Sequence, residues 1–227
     1  MRYKVIYVVA TKDKVVLDFE ITNNMPSHIE LIPLLKRIKD RIPQAQLRKI
    51  VSDEDKAIIG AVRCVFPKVA HGFWVFHQIK NVTEKYADEF KHKDDIPAQD
   101  FKVYETANQL IAADNAIEST ILYRRIIDLS KDETLSEASR KVIKYIKKIF
   151  INNLNLLRMG FIPETNNTME EIFSLINDFV NQTRSLKREW SMKNFFNNLF
   201  AFFNKRSFNT GKWRGYSPVE RAKSLHC

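Results

Sequence analysis

IVSDEDKAIIGAVRCVFPKVAHGFWVFHQIKN, residues 50–81, is the stretch whose reading decides the fold. Just before and into it, residues 47–51 (LRKIV) are apolar and β-branched enough for a buried strand. Asp53 falls where that strand stops. Beyond it Ala57, Ile58, Ala61, Val62, Val65 and Phe66 recur at helical spacing, which predicts a helix with Asp53 or Ser52 as its N-cap. Pro67 ends the helix, and residues 69–76 (VAHGFWVF) predict a second strand running into His77, Lys80 and Asn81. So short a strand–helix–strand unit predicts a parallel pair, whose polar sites gather at the carboxyl ends of the strands. Asp53 and His77 are both expected at such ends. Helix capping is the ordinary explanation of Asp53, and a site carboxylate the functional one.

The chain has 227 residues, enough for one large domain, or a domain with an appendage, around a substantial core. With 44% hydrophobic and 28% charged residues it has an ordinary globular composition. No apolar run reaches the roughly 18–20 residues of a membrane span, and Met1 opens no signal-peptide pattern, so no membrane partner is expected. Cys64 and Cys227 make neither a disulfide framework nor a zinc spacing, which favours a reducing, cytoplasmic setting. The net charge of +10 is concentrated at the end, where residues 181–227 carry ten Lys or Arg against Glu189 and Glu220. Such clustering favours a polyanionic partner through counterion release.

Upstream of the central stretch, residues 3–10 and 15–21 read as a β-hairpin turning at 11–14. A helix follows with Ile32, Leu35, Ile38 and Ile42 on one face and Pro33 in its first turn. Downstream the pattern turns helical. Ile79, Val82, Tyr86 and Phe90 share a stripe, residues 91–100 form a polar linker, and 101–129 make one amphipathic or broken helix. Leu135, Ala138, Val142, Ile146 and Ile149 mark another helix, and Met169, Ile172, Ile176 and Phe179 a further one capped by T-N-N-T. In the tail, Phe195, Leu199 and Phe202 or Phe203 face inward on a helix before a basic, Gly-containing loop.

Three of these stretches together resemble one family. The acid ending a strand, the Ala-rich helix, Phe66-Pro67 and the H-x-x-K-N of His77, Lys80 and Asn81 resemble the second-aspartate region of Mutator-like and related insertion-sequence transposases. T-N-N-T-M-E at 165–170, followed by R-S-L-K at 184–187, resembles their third-acid region, and R-G-Y-S-P-V-E-R-A at 214–222 their closing motif. The resemblance implies a DDE-type DNA transposase of α/β class, a ribonuclease H-like mixed sheet with flanking helices interrupted by an all-helical insertion. In that layout residues 1–84 are the N-terminal part of the core with its first strand missing, as in a truncated copy, and 85–160 are the insertion. Residues 161–190 hold the third-acid helix and 191–227 the basic tail. The family carries a first catalytic Asp on a strand upstream of the one at 3–10. Asp13 and Asp18 are the nearest acids, and neither sits in a matching motif.

The same resemblance implies that Asp53 and Glu170 are the catalytic metal ligands, Glu171 lying one step around its helix. It implies two Mg2+ or Mn2+ ions, because in-line attack on a phosphodiester needs an activated nucleophile and a stabilised leaving oxygen. Lys80, Arg184 and Lys187 are the phosphate contacts expected near the acids. His77 contacts phosphate or the leaving group, or orients Asp53; Asn81 completes the motif. Lys212, Trp213 and Arg214 are expected to hold phosphates and stack on bases, unless Trp213 and Tyr216 pin the tail to the core. Tyr123, Arg124 and Arg125 lie on a solvated face or touch DNA. The implied partners are terminal inverted repeats and target DNA, bound by a homodimer or larger assembly associated with the nucleoid. The alternative is a catalytically inactive DNA-binding remnant or domesticated protein.

Overall fold

Two runs of alternating residues open the chain and pair with each other. β1 (Val5–Ala10) and β2 (Val16–Thr22) run antiparallel, Val5 opposite Thr22 and Val9 opposite Asp18. The turn between them is closed by the Thr11 amide donating to the Val15 carbonyl at 2.9 Å, with Lys14 in the left-handed region at φ 70°. The computed structural model describes residues 5–11, 13–42, 47–161, 167–182, 188–209 and 212–224. It shows a mixed α/β chain in which helices predominate and which divides into two units.

The first unit comprises Met1–Gln46, Lys56–Pro67 and Asn166–Cys227. Its helices are α1 (His28–Arg41), α2 (Lys56–Val65), α7 (Asn167–Gln182), α8 (Glu189–Lys205) and α9 (Pro218–Ser224). α1 packs on α2 through Leu31, Leu34 and Ile38 against Ala61, Val62 and Val65. That stripe is rotated from the expected Ile32, Leu35 and Ile42, which are only half-buried. The close approach explains the rotation, since a Cβ on Gly60 would stand 2.8 Å from His28 Cβ. Pro33 is the sixth residue of α1, in its second turn rather than its first. Arg37 and Arg41 reach from α1 to Asp18 of β2 at 2.9 and 3.4 Å, so Asp18 is committed to holding helix to hairpin.

The core of this unit joins Val16 and Ile21 of the hairpin to Ile172 and Ile176 of α7 and to Met192, Phe196, Leu199 and Phe200 of α8. On α8 Leu199 is inward as expected, together with Met192, Phe196 and Phe200, while Phe195 and Phe203 are partly buried and Phe202 is exposed. Asn204 completes the hairpin edge. Its carboxamide accepts from the Val16 amide and donates to the Val16 carbonyl, both at 2.8 Å, as a neighbouring strand would.

The second unit comprises Leu47–Asp55 and Lys68–Thr165. β3 (Lys49–Ser52) and β4 (Ala70–Phe73) are parallel, Lys49 opposite Ala70 and Ser52 opposite Phe73. Around them lie α3 (Val75–Ala87), α4 (Ala98–Ala112), α5 (Ala116–Leu129) and α6 (Glu137–Arg158). The expected break in 101–129 falls at 113–115, and all five stripe residues from Leu135 to Ile149 are buried. A polar knot fixes the helices: Tyr86 donates to or accepts from Ser139 Oγ at 2.6 Å, and buried Asp100 accepts from Ser136 N and Oγ at 3.0 and 2.7 Å. The parallel pair thus belongs with the helices after 98, whereas the expected layout divided the chain at 84 and 85. The described strands make two separate two-stranded sheets.

Candidate functional site at the end of the third strand

β3 ends on Ser52, whose carbonyl takes the last ladder bond from the Trp74 amide at 3.2 Å. The chain then leaves the sheet through Asp53, Glu54 and Asp55 before α2 begins at Lys56. Asp55 immediately precedes that helix, which therefore begins three residues after Asp53. Asp53 is left exposed just past the carboxyl end of the strand.

The second expected strand stops at Phe73. Trp74 is the N-cap of α3, and His77 is that helix's third residue, so His77 stands in a helical first turn and not at a strand end. Trp74, Val75 and Phe76 favour a strand by propensity; the turn that follows the Ser52–Trp74 bond overrides them. His77 nonetheless meets the acid, its Nε2 standing 3.0 Å from Asp53 Oδ1. α3 carries no acid of its own in the first turn, where the helix dipole favours one.

The rest of H-x-x-K-N follows from helical spacing, because positions i, i+3 and i+4 share a face. Lys80 is exposed, with Glu84 3.7 Å away. Asn81 donates to the Tyr145 hydroxyl of α6 at 3.3 Å, and that hydroxyl donates to Glu54. Lys85 donates to the Asn81 carbonyl at 2.9 Å and lies over the Tyr145 ring. Burial pushes the Tyr145 hydroxyl far above the ordinary tyrosine range; the bond from Asn81 opposes this and Glu54 adds to it. Beneath, Ser52 Oγ and His71 Nε2 are 2.9 Å apart, and the His71 carbonyl accepts from Asn152 at 3.3 Å. Glu54, Tyr145, Lys85 and His71 are thus part of this edge, although no motif in the sequence marks them.

Two carboxylates, Asp53 and Glu54, end at one loop. Such a hard-oxygen edge suits magnesium, which takes one or two carboxylates and completes its shell with water or substrate oxygens. Among the described residues no group of three or more His, Cys, Asp or Glu gathers as a metal site.

Glu170 belongs to the first unit. It is exposed in the first turn of α7, with no hydrogen bond or ion pair to a described residue, while its neighbour Glu171 is bound by Lys14. Arg184 and Lys187 lie outside the described residues. Asp13 is buried against Arg221 at 3.5 Å, so both acids nearest the start of the chain have structural partners. That pair is an ion pair without hydrogen-bond geometry, for Asp13 Oδ1 and Arg221 Nε both lack a hydrogen-bond partner.

The closing stretch is a folded module. Phe208 N donates to the Tyr216 carbonyl and Gly215 N to the Phe208 carbonyl, with Gly215 at φ 88° where a side chain would be strained. Ser217 and Glu220 form a capping box around Pro218 at the first helical position of α9: Glu220 accepts from Ser217 N at 2.8 Å, and Ser217 Oγ from Glu220 N at 3.3 Å. Trp213 is half-buried, edge-on to Tyr216 and beneath the Arg221 guanidinium. These contacts tie Trp213 into the tail, while Lys212 and Arg214 are exposed.

No family model, curated protein or solved structure matches this chain.

Proposed function

We propose that this chain is the catalytic part of a DDE-type DNA transposase of the Mutator-like and related insertion-sequence group, built on a ribonuclease H-like core. The observation that carries the reading is Asp53. It stands past the carboxyl end of a parallel strand, exposed, with an imidazole on one of its two oxygens. The ordered motifs around Asp53 and Glu170 supply the family.

In this reading His77 fixes the Asp53 carboxylate through Oδ1 and leaves Oδ2 facing the substrate side as a cation ligand. Tyr145 and Asn81 brace Glu54, so the loop after β3 keeps its shape when a polyanion arrives. Lys80, loosely paired, neutralises phosphate charge beside the acids. Magnesium or manganese, when bound, activates the attacking water or 3′-hydroxyl and stabilises the leaving oxygen. Asp53 and Glu170 are both required for one activity. The DNA partners are the element's terminal repeats and its target, held by two or more copies of the chain.

The test is a strand-transfer assay on end-sequence DNA with Mg2+, comparing the wild type with Asp53→Ala and Glu170→Ala. Loss of product in both variants is the expected result. Activity that survives either substitution removes that residue from the site. A second reading, a DNA-binding protein without catalysis, is favoured by the basic excess of the tail, which needs no metal chemistry. It predicts DNA binding by all three proteins and product from none.

A further inference from the structure

Residues 138–163 contain no Asp or Glu but include Arg140, Lys141, Lys144, Lys147, Lys148 and Arg158. Nearly all of that run is α6, and all six cations are exposed. Two are already engaged. Lys141 pairs with Glu137 at 2.9 Å, and Arg140 donates to the carbonyls of Glu133 and Leu135. Lys144, Lys147, Lys148 and Arg158 make no ion pair to a described residue. Lys144 repels both Lys147 and Lys148 at helical spacings of three and four, with no acid in residues 138–163 to relieve it. A helix face that breaks this local rule without an internal partner points to an external one.

We propose that the outer face of α6 from Lys144 to Arg158 is a docking surface for the phosphate backbone of duplex DNA. From end to end it spans about 21 Å at 1.5 Å per residue, rather more than half a turn of B-DNA. Lys144, Lys147 and Lys148 lie within about one turn and Arg158 stands ten residues further along, so a rigid rod presents a cluster and an outlying charge to a rigid, regularly charged partner. The recognition is of backbone charge and not of sequence. An anionic membrane fits this face poorly. Membrane-surface helices bury an apolar face, and here Val142, Ile146, Ile149, Phe150 and Leu154 are consumed by the core. Ile151 is the large apolar residue that the outer face exposes. Tyr145 of the same helix braces Glu54, so a duplex along α6 would approach the loop that carries Asp53.

The inference deepens the proposed function by placing a DNA contact, yet it fails or stands separately from catalysis. The experiment is fluorescence anisotropy with a duplex of about 20 bp of arbitrary sequence, across about 50–200 mM salt. It compares the wild type, the triple variant Lys144→Gln/Lys147→Gln/Lys148→Gln, and the tail variant Lys212→Gln/Arg214→Gln, with circular dichroism to confirm that each is folded. The triple variant is expected to bind at least about tenfold more weakly at low salt. The magnitude of its slope of log K against log salt should fall by about 3, one unit per lost phosphate contact. Unchanged affinity and slope would overturn the inference, as would a wild type that binds no duplex. A triple variant that loses binding only to phosphatidylserine vesicles would overturn it in favour of a membrane. Duplex binding that depends on Lys144, Lys147 and Lys148, without metal-dependent strand transfer, supports this surface while removing the catalytic reading.

Discussion

His77 Nε2 lies 3.0 Å from Asp53 Oδ1, joining the first turn of α3 to the loop that leaves β3. Both side chains are partly open to water, so the pair adds little to stability, at most about 1 kcal/mol. Its consequence is orientation. His77→Ala should weaken Mn2+ binding by about 10- to 100-fold, the usual effect of losing a group that orients a ligand, while the melting temperature stays nearly unchanged. Isothermal titration calorimetry with Mn2+ and a thermal melt read the two quantities. Equal affinity in wild type and variant would make the contact incidental.

The hairpin edge gives a prediction about folding. Asn204→Ala removes the carboxamide that bonds both the amide and the carbonyl of buried Val16. Leaving a buried backbone pair unsatisfied should cost about 2 kcal/mol in urea unfolding. Asn204→Asp keeps the acceptor and loses the donor, so a second oxygen faces the Val16 carbonyl. It should destabilise at least as much as alanine does.

At Gly60 two effects oppose each other. Alanine in a helix interior is favoured over glycine by about 1 kcal/mol. Here the new Cβ would meet His28 Cβ at 2.8 Å, and a Cβ cannot swing aside without moving its helix. Overpacking of this kind costs about 1–3 kcal/mol, so Gly60→Ala should lower stability. A stabilised variant would mean that α1 and α2 pack less closely than described.

Burial raises the pKa of both Tyr86 and Tyr145. With a raised folded-state value, the stability linked to each group is complete below the ordinary tyrosine pKa of about 10 and is lost as pH climbs above it. Two of the seven tyrosines should therefore resist ionisation, followed by tyrosinate absorbance, until alkaline unfolding. Tyr145→Phe should flatten the alkaline decline while leaving Glu54 without its donor.

Much of the helical architecture was legible, because Val142, Ile146 and Ile149 repeat with a period that only a helix satisfies. The hairpin was legible for the corresponding reason in strands. The short strands and helix around Asp53 were legible too, but not their bounds. Asp53, Glu54 and Asp55 are three adjacent acids, and differences of two or three residues in helix start are invisible to periodicity. Trp74, Val75 and Phe76 have strand propensities that the start of α3 overrides. Tyr145 and Glu54 are 91 positions apart, and nothing in either neighbourhood announces their bond. The closing stretch held a readable signal, for Ser217-Pro218-Val219-Glu220 has the spacing of a capping box. Trp213 and its neighbours read either as DNA contacts or as pins to the core, and neither reading includes the turn and cap they build.

The central claim is that Asp53 holds a divalent cation beside His77. Paramagnetic broadening of the histidine ring signals by Mn2+ tests it directly, with the five histidines assigned by substitution. The account predicts that the His77 resonances broaden at substoichiometric Mn2+, recover when excess Mg2+ is added, and stay sharp in Asp53→Asn. His77 signals that remain sharp in the wild type, or that broaden equally in Asp53→Asn, would contradict it.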